Sequence, residues 1–267
     1  MNPKVSIVMA TYNQARYIEA SLDSIRNQRF QDFELIVVND GCTDDTPDIL
    51  RAYQESFPFT LIDQPNQGQA RALNNGFAMA RGEYLTWTSS DNILLPSMLE
   101  LLVVALDADP KVGLVYSDWD VIDAEDRTTA HVKSISFDHW ALLRDNFVNA
   151  SFLYRRACQD QVGMYDVEIG KKFDWDYWLR ISKAFPCQHV AQTLYLYRRH
   201  QASSHMQPDA DLHYQRFATV WKRREPLAWF GAKLRAYWQR KRYGQETRLA
   251  VEPVKNTLTG GQSERLS

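Results

Sequence analysis

The sequence predicts an α/β protein, a mostly parallel sheet flanked by helices with a helical C-terminal appendage. Three observations predict it. Val5–Met9 and Leu35–Val38 are near-continuous apolar runs, the pattern of strands buried on both faces. Strand-like and helix-like segments alternate through residues 1–120. The apolar runs stop abruptly in polar residues, Thr11-Tyr12-Asn13 and Asn39-Asp40-Gly41. In open α/β sheets, ligands bind just beyond the carboxyl ends of the strands.

Taken in order, Val5–Thr11 is the first strand. Arg16–Gln28 carries Tyr17, Ile18, Leu22 and Ile25 on one helical face. Phe33–Asn39 is the second strand. Thr43-Asp44-Asp45-Thr46-Pro47 opens a helix to Glu55, with acidic residues in its first turn and an early proline. Phe59–Ile62 is a short strand. Gln67–Ala80 is helical and is closed by Arg81-Gly82. Glu83–Trp87 is a strand ending in Thr88-Ser89-Ser90-Asp91-Asn92. Pro96 starts a helix to Leu106, and Val112–Tyr116 is a strand ending at Ser117-Asp118. Further on, Phe137–Leu143 and Asp174–Ala184 read as helices, and Phe152–Tyr154 and Leu194–Arg198 as strands. No Pro/Gly-rich linker separates the halves, so residues 1–208 form one domain, with a ligand half over 1–120 and an acceptor half over 121–208. Residues 209–244 form a basic, aromatic helical appendage, and 245–267 a polar flexible tail.

The totals narrow the class. The chain has 267 residues, 45% hydrophobic and 24% charged, with a net charge of -2. It is long enough for a substantial core and is not a polyanion binder by charge alone. Its three cysteines form neither a metal-ligand spacing nor a disulfide framework, which points to a reducing compartment. The N-terminal apolar run is too short for a signal peptide, and no stretch approaches a membrane span. The expectation is a cytoplasmic protein.

Three polar clusters at successive strand ends would line one crevice. A carboxylate there can accept a base N–H or a ribose hydroxyl. Another can hold a divalent cation, because Mg²⁺ and Mn²⁺ prefer few protein carboxylates together with phosphate oxygens. The plainer alternative is that these residues cap helices.

The motifs Ile7-Val8-Met9-Ala10-Thr11-Tyr12-Asn13, Val38-Asn39-Asp40-Gly41-Cys42-Thr43-Asp44-Asp45-Thr46, Gln67-Gly68-Gln69-Ala70-Arg71, Asn74-Asn75-Gly76 and Arg81-Gly82-Glu83-Tyr84 resemble those of the family 2 inverting glycosyltransferases. Gly82–Ile93 is especially similar to the spore-coat polysaccharide enzyme of that family. The resemblance covers residues 4–205. It implies a GT-A fold, a nucleotide-diphosphate sugar donor (most often a UDP sugar) and Mn²⁺ or Mg²⁺. It places Ala10, Thr11, Asn13, Asp40, Arg71 and Ser90 at the nucleotide. Arg71 brings a fixed charge suited to phosphate. Asp91 takes the metal place of the family's Asp-x-Asp element, although Ser89 replaces the first Asp. Phe173-Asp174 matches the family's Glu-Asp element, with Phe173 in place of Glu, and makes Asp174 the catalytic base. Inverting transfer needs one such base, and neighbouring aromatic rings can raise its pKa. Asp174 as a helix cap is the alternative, and Asp176 is a competitor for the role. Tyr197–His205 resembles the family's closing loop, and His200 falls where the metal or diphosphate is met. Asp118, Trp119, Asn149 and Asp176 are acceptor-side candidates.

Nine Lys and Arg residues between Tyr214 and Tyr243 face a single acid, Glu225, and are interleaved with Trp221, Trp229, Phe230, Tyr237, Trp238 and Tyr243. That composition suits docking on an anionic membrane surface, and a lipid-linked acceptor would explain it. Packing of these aromatics on the domain is the alternative. No nucleic-acid recognition module is visible. The expected activity is metal-dependent inverting transfer of a sugar to a saccharide or lipid-linked hydroxyl in surface polysaccharide or glycolipid synthesis. The rivals are a catalytically impaired nucleotide- or carbohydrate-binding protein and a sugar nucleotidyltransferase; the latter would need a Gly-rich basic phosphate loop that Thr11-Tyr12-Asn13 does not offer.

Overall fold

A computed structural model of the chain describes residues 2–200, 218, 221 and 250–253. Its centre is four parallel strands. β1 (Val5–Thr11) pairs with both β2 (Phe33–Asp40) and β4 (Tyr84–Ser89), and β2 pairs with β3 (Thr60–Gln64). The crossovers are α1 (Ile18–Arg26), α2 (Thr46–Gln54) and α3 (Gln69–Met79).

The apolar runs follow from burial on both faces. On β1, Val5, Ile7 and Met9 join one core layer with Leu22 and Ile25 of α1, while Val8 and Ala10 join the other with Leu73 and Phe77 of α3. Every residue of β1 is buried. Such a strand has no polar face, so its sequence does not alternate.

Gly82 lets β4 start against β1. A Cβ there would lie 2.5 Å from the Ser6 nitrogen and 2.7 Å from the Val5 carbonyl carbon, both rigid backbone. Gly82→Ala is therefore expected to cost about 1–3 kcal/mol of stability by overpacking. Urea unfolding monitored by circular dichroism checks this; an unchanged midpoint would show that β1 and β4 can separate freely.

Beyond β4 the sheet turns antiparallel. β8 (Phe152–Arg155) inserts between β4 and β6 (Leu114–Ile122) and runs antiparallel to both. β6 continues to β7 (Thr128–Lys133), and β9 (Cys187–Arg198) lies parallel to β6 and also pairs with the short β5 (Ile93–Leu94). α4 (Met98–Ala108) and α6 (Arg156–Val162) flank the sheet, and a 3-10 turn (Val167–Lys172) leads into α7 (Phe173–Ala184).

Several elements differ from expectation for local reasons. β6 runs well past Tyr116, so Asp118 sits within the strand and not at its end. Polar residues continue that strand because β7 and β9 flank it and satisfy them. The expected helix over 137–143 is only α5 (His139–Leu142), because the Asp138 side chain accepts from the Trp140 and Ala141 amides and fixes a later start. β9 begins seven residues before Leu194.

The expected appendage (209–244) and tail (245–267) lie outside the described residues, apart from 218, 221 and 250–253. Residues Ala250–Pro253 form β10, antiparallel to β7. Trp221 is buried in the core and donates its Nε1–H to Asp176 Oδ1 at 3.0 Å, so this aromatic packs on the domain and is not available to a lipid surface. Among the described residues no helix is long and apolar enough to cross a membrane.

Candidate functional site

Because β4, β1 and β2 are parallel neighbours, their carboxyl ends meet at one edge. Ser90 Oγ donates to Thr11 Oγ1 at 2.8 Å, joining the ends of β4 and β1. Asn13 adopts a left-handed φ of 52° and holds the loop after β2. Its Oδ1 accepts from the Thr43 amide at 2.8 Å, and its Nδ2 donates to Thr43 Oγ1 at 3.2 Å. Ala10, Thr11 and Ser90 are buried beneath this seam, while Asn13 remains open to solvent.

Asp40 closes the same edge. Its Oδ1 accepts from Gln64 Nε2 at 2.8 Å and the Gln67 amide at 2.9 Å, and its Oδ2 accepts from the Gly68 amide at 2.9 Å. These bonds seat the loop that opens α3, where Gly68 takes φ 85°. A carboxylate has about four acceptor positions, so one remains for a ligand N–H or hydroxyl. Asp40, Tyr12, Gln69, Arg71, Lys171 and Phe173 are among the walls of a cavity of about 440 Å³. The N-terminus of α3 borders this space with Arg71 in its first turn, a setting that favours a bound anion.

Beyond β4, Asp91 meets His200 Nε2 at 3.0 Å through Oδ2. Its Oδ1 is buried without a hydrogen-bond partner among the described residues. An orphaned buried carboxylate oxygen beside an imidazole fits a divalent cation that takes two protein ligands and completes its shell with phosphate and water. No cluster of three or more His, Cys, Asp or Glu side chains suited to a metal occurs among the described residues.

Asp174 lies in the first turn of α7 and borders two further spaces. One, of about 330 Å³, is also lined by Trp119, Asn146, Asn149, Trp175 and Arg199. The other, of about 60 Å³, is lined by Gln69, Trp87, Ser89, Lys171 and Phe173, and links the two larger cavities through shared walls. Burial raises the Asp174 carboxyl above its ordinary value. The Trp175 amide, the Lys172 charge and Asn146 oppose that shift without cancelling it. Asn146 Nδ2 donates to Asp174 Oδ2 at 2.9 Å and so aims the carboxylate.

Neither Asp91 nor two further acidic candidates line these spaces. Asp176 is fully buried and accepts from Arg180 Nε at 2.8 Å as well as from Trp221, so it faces the core. Asp118 Oδ1 accepts from the Ser134 amide at 2.8 Å and meets His189 Nε2 at 2.7 Å, which makes it a brace between β6, β9 and the chain after β7. The neighbouring candidates Trp119 and Asn149 do line the 330 Å³ cavity.

Sequence reasoning overlooked Lys171, which borders all three spaces, and Asn146, which orients Asp174. The only signal for Lys171 was its position in Gly170-Lys171-Lys172, just before Phe173-Asp174. Asn146 offered none, because it meets its partner across 28 residues.

The family model described as glycosyl transferase family 2 matches residues 6–165. An uncharacterized glycosyltransferase of Nostoc is 35% identical over 127 residues, covering 47% of this chain and 39% of that protein. The uncharacterized glycosyltransferase YwdF of Bacillus subtilis is 26% identical over 214 residues, 77% of this chain and 78% of that protein. The chain thus spans well under half of the Nostoc relative. Among solved structures, S. aureus TarS 1-349 in complex with UDP-GlcNAc is similar with a TM-score of 0.64 at 18% identity, covering 81% of this chain and 65% of that one. The mannosyltransferase PcManGT from Pyrobaculum calidifontis, in complex with GDP-Man and Mn²⁺, gives 0.63 at 22%, covering 82% and 64%. At these identities the likeness gives the fold, and it is the GT-A fold expected above.

Proposed function

The chain belongs to glycosyl transferase family 2, and from that premise we propose that it moves a sugar from a nucleoside-diphosphate donor, a UDP sugar, to a hydroxyl acceptor with inversion. The observation that carries the reading is one linked crevice with Asp40 and Arg71 at one end and Asp174 at the other. In it, the remaining acceptor position of Asp40 takes the base. Arg71 and the α3 N-terminus meet the diphosphate. Asp91 and His200 would hold a divalent cation, which when bound neutralises charge on the diphosphate. Trp119, Trp175 and Asn149 line the neighbouring space that a saccharide acceptor would enter.

The chemistry is a single displacement. The acceptor hydroxyl gives its proton to the Asp174 carboxylate, its oxygen bonds the anomeric carbon, and the sugar–phosphate bonding pair departs on the diphosphate oxygen. Asn146 orients the base throughout. A surface polysaccharide or glycolipid acceptor is part of the proposal, and so is docking of the basic C-terminal segment on an anionic membrane.

Thermal unfolding with UDP, UDP-sugars and GDP-mannose, each with and without MnCl₂, tests the reading. At 100 times its Kd a donor should add about 2.7 kcal/mol, a rise in Tm of roughly 5–10 °C. UDP compounds that fail to raise Tm with Mn²⁺ would reject the donor assignment. Binding without donor hydrolysis or transfer would favour the impaired binding protein.

A further inference from the structure

Arg198 is the last residue of β9, and its side chain is only 1% exposed. Burying a guanidinium is costly unless its donors are met. Here they reach three separate places. Nε donates to the Asp91 carbonyl at 2.7 Å, one Nη donates to the Asp123 carbonyl at 3.0 Å, and the other pairs with the exposed Asp126 carboxylate at 2.6 Å. The Arg198 amide also donates to Asn92 Oδ1 at 2.8 Å. The guanidinium lies 4.7 Å over the Tyr17 ring, and that ring stands 4.9 Å from the His200 ring.

One side chain therefore touches the backbone of the Asp91 turn, the tip of the β6–β7 hairpin and the ring that supports His200. The tip is itself held from the other side, where Arg16 donates to the Ala124 carbonyl at 3.2 Å. Asp126 takes a left-handed φ of 64° there, and Arg127 Nε pairs with Asp123 at 2.8 Å, which leaves the tip a firm anchor.

We propose that Arg198 is a positioning residue that sets the Asp91 carboxylate for its cation by tying the Asp91–Asn92 turn to the tip of the β6–β7 hairpin. The inference rests on the reading that Asp91 and His200 hold a divalent cation. A planar fork with several donors serves three directions at once; the point charge of lysine does not.

The experiment measures Mn²⁺ affinity by electron paramagnetic resonance on the full chain with UDP present. Wild type, Arg198→Lys and Asp126→Asn are compared, with amide hydrogen exchange followed over residues 89–93. Groups that orient a metal ligand typically control affinity by about 10–100-fold, so Arg198→Lys should weaken Mn²⁺ binding at least tenfold and speed exchange in the turn. Asp126→Asn removes only the charge from the exposed arm and should weaken Mn²⁺ binding several-fold while Tm stays near wild type. UDP affinity without Mn²⁺ should be unchanged in both, which a general loss of folding would not give. If Arg198→Lys does not fold, Asp126→Asn decides alone. Variant Mn²⁺ affinities equal to wild type overturn this inference and leave the cation reading intact. A wild-type protein that binds no Mn²⁺ overturns both.

Discussion

Asp174→Asn is expected to lower kcat by about 10²–10⁴-fold, the usual contribution of a general base, while donor KM changes little. The same variant should be at least as heat-stable as the wild type at neutral pH. The reason is the environment of the carboxylate. Burial raises Asp174 above the ordinary aspartate value of 3.8, so the native state holds its proton more tightly than the unfolded chain does. The resulting penalty is absent in strong acid. It grows as pH rises from the unfolded value and is complete only above the raised folded one. Asparagine carries no charge and still accepts from Asn146, so the penalty disappears with the activity. In the wild type, kcat/KM should fall on the acid side around a midpoint above that of a free aspartate. Initial rates across pH, together with thermal melts of both proteins at pH 7, check all three statements. A variant that keeps its turnover would remove Asp174 from the chemistry. One that loses turnover and also melts much earlier would point to a structural role.

Asp91→Asn should have the next largest effect, a loss of roughly 10²–10³-fold in kcat/KM. The substitution keeps the shape of the turn and an oxygen for His200, whose Nε2 lies 3.0 Å away. It removes the negative charge and one of the two oxygens a hard cation would seek. Because Ser89 brings only a hydroxyl to the neighbouring position, no second carboxylate of that turn compensates. Rates measured over a MnCl₂ titration should show the half-saturating concentration displaced upward, with partial recovery at high metal. Wild-type rates with an unshifted titration would show that Asp91 serves the turn and not a cation.

The parallel centre of the fold was legible because burial on both faces leaves a signature that periodicity reads directly. Val5–Met9 and Leu35–Val38 have no polar alternation to confuse it. The strand ends then placed Thr11, Asn13, Asp40 and Ser90 at one edge without further information. The acceptor side was less legible. β6 looked finished at Tyr116 because Ser117, Asp118 and Asp120 interrupt its apolar run, yet Asp118 is satisfied by Ser134 and His189 from elsewhere in the chain. Asp174 and Asp176 are two residues apart with similar flanks. What separates them is three-dimensional: Asp176 meets Arg180 and Trp221 in the core, while Asp174 meets Asn146 beside a cavity. No local pattern encodes those partners. Arg198 was visible only as one of two adjacent arginines, and its side-chain contacts lie 72 to 181 residues away in sequence.

The wedging of β8 between β4 and β6 also bears on how the chain comes together. β4 has one neighbour supplied early, β1, and one supplied some seventy residues later, Leu85 facing Tyr154. As the polypeptide leaves the ribosome, the β4 margin stays open until that segment emerges, with hydrogen-bonding groups bare and Trp87 uncovered on the side that Phe152 later fills. Bare strand margins recruit other chains, and long-range pairing is slow. A fragment ending near residue 120 would thus carry the ligand edge and still be prone to self-association.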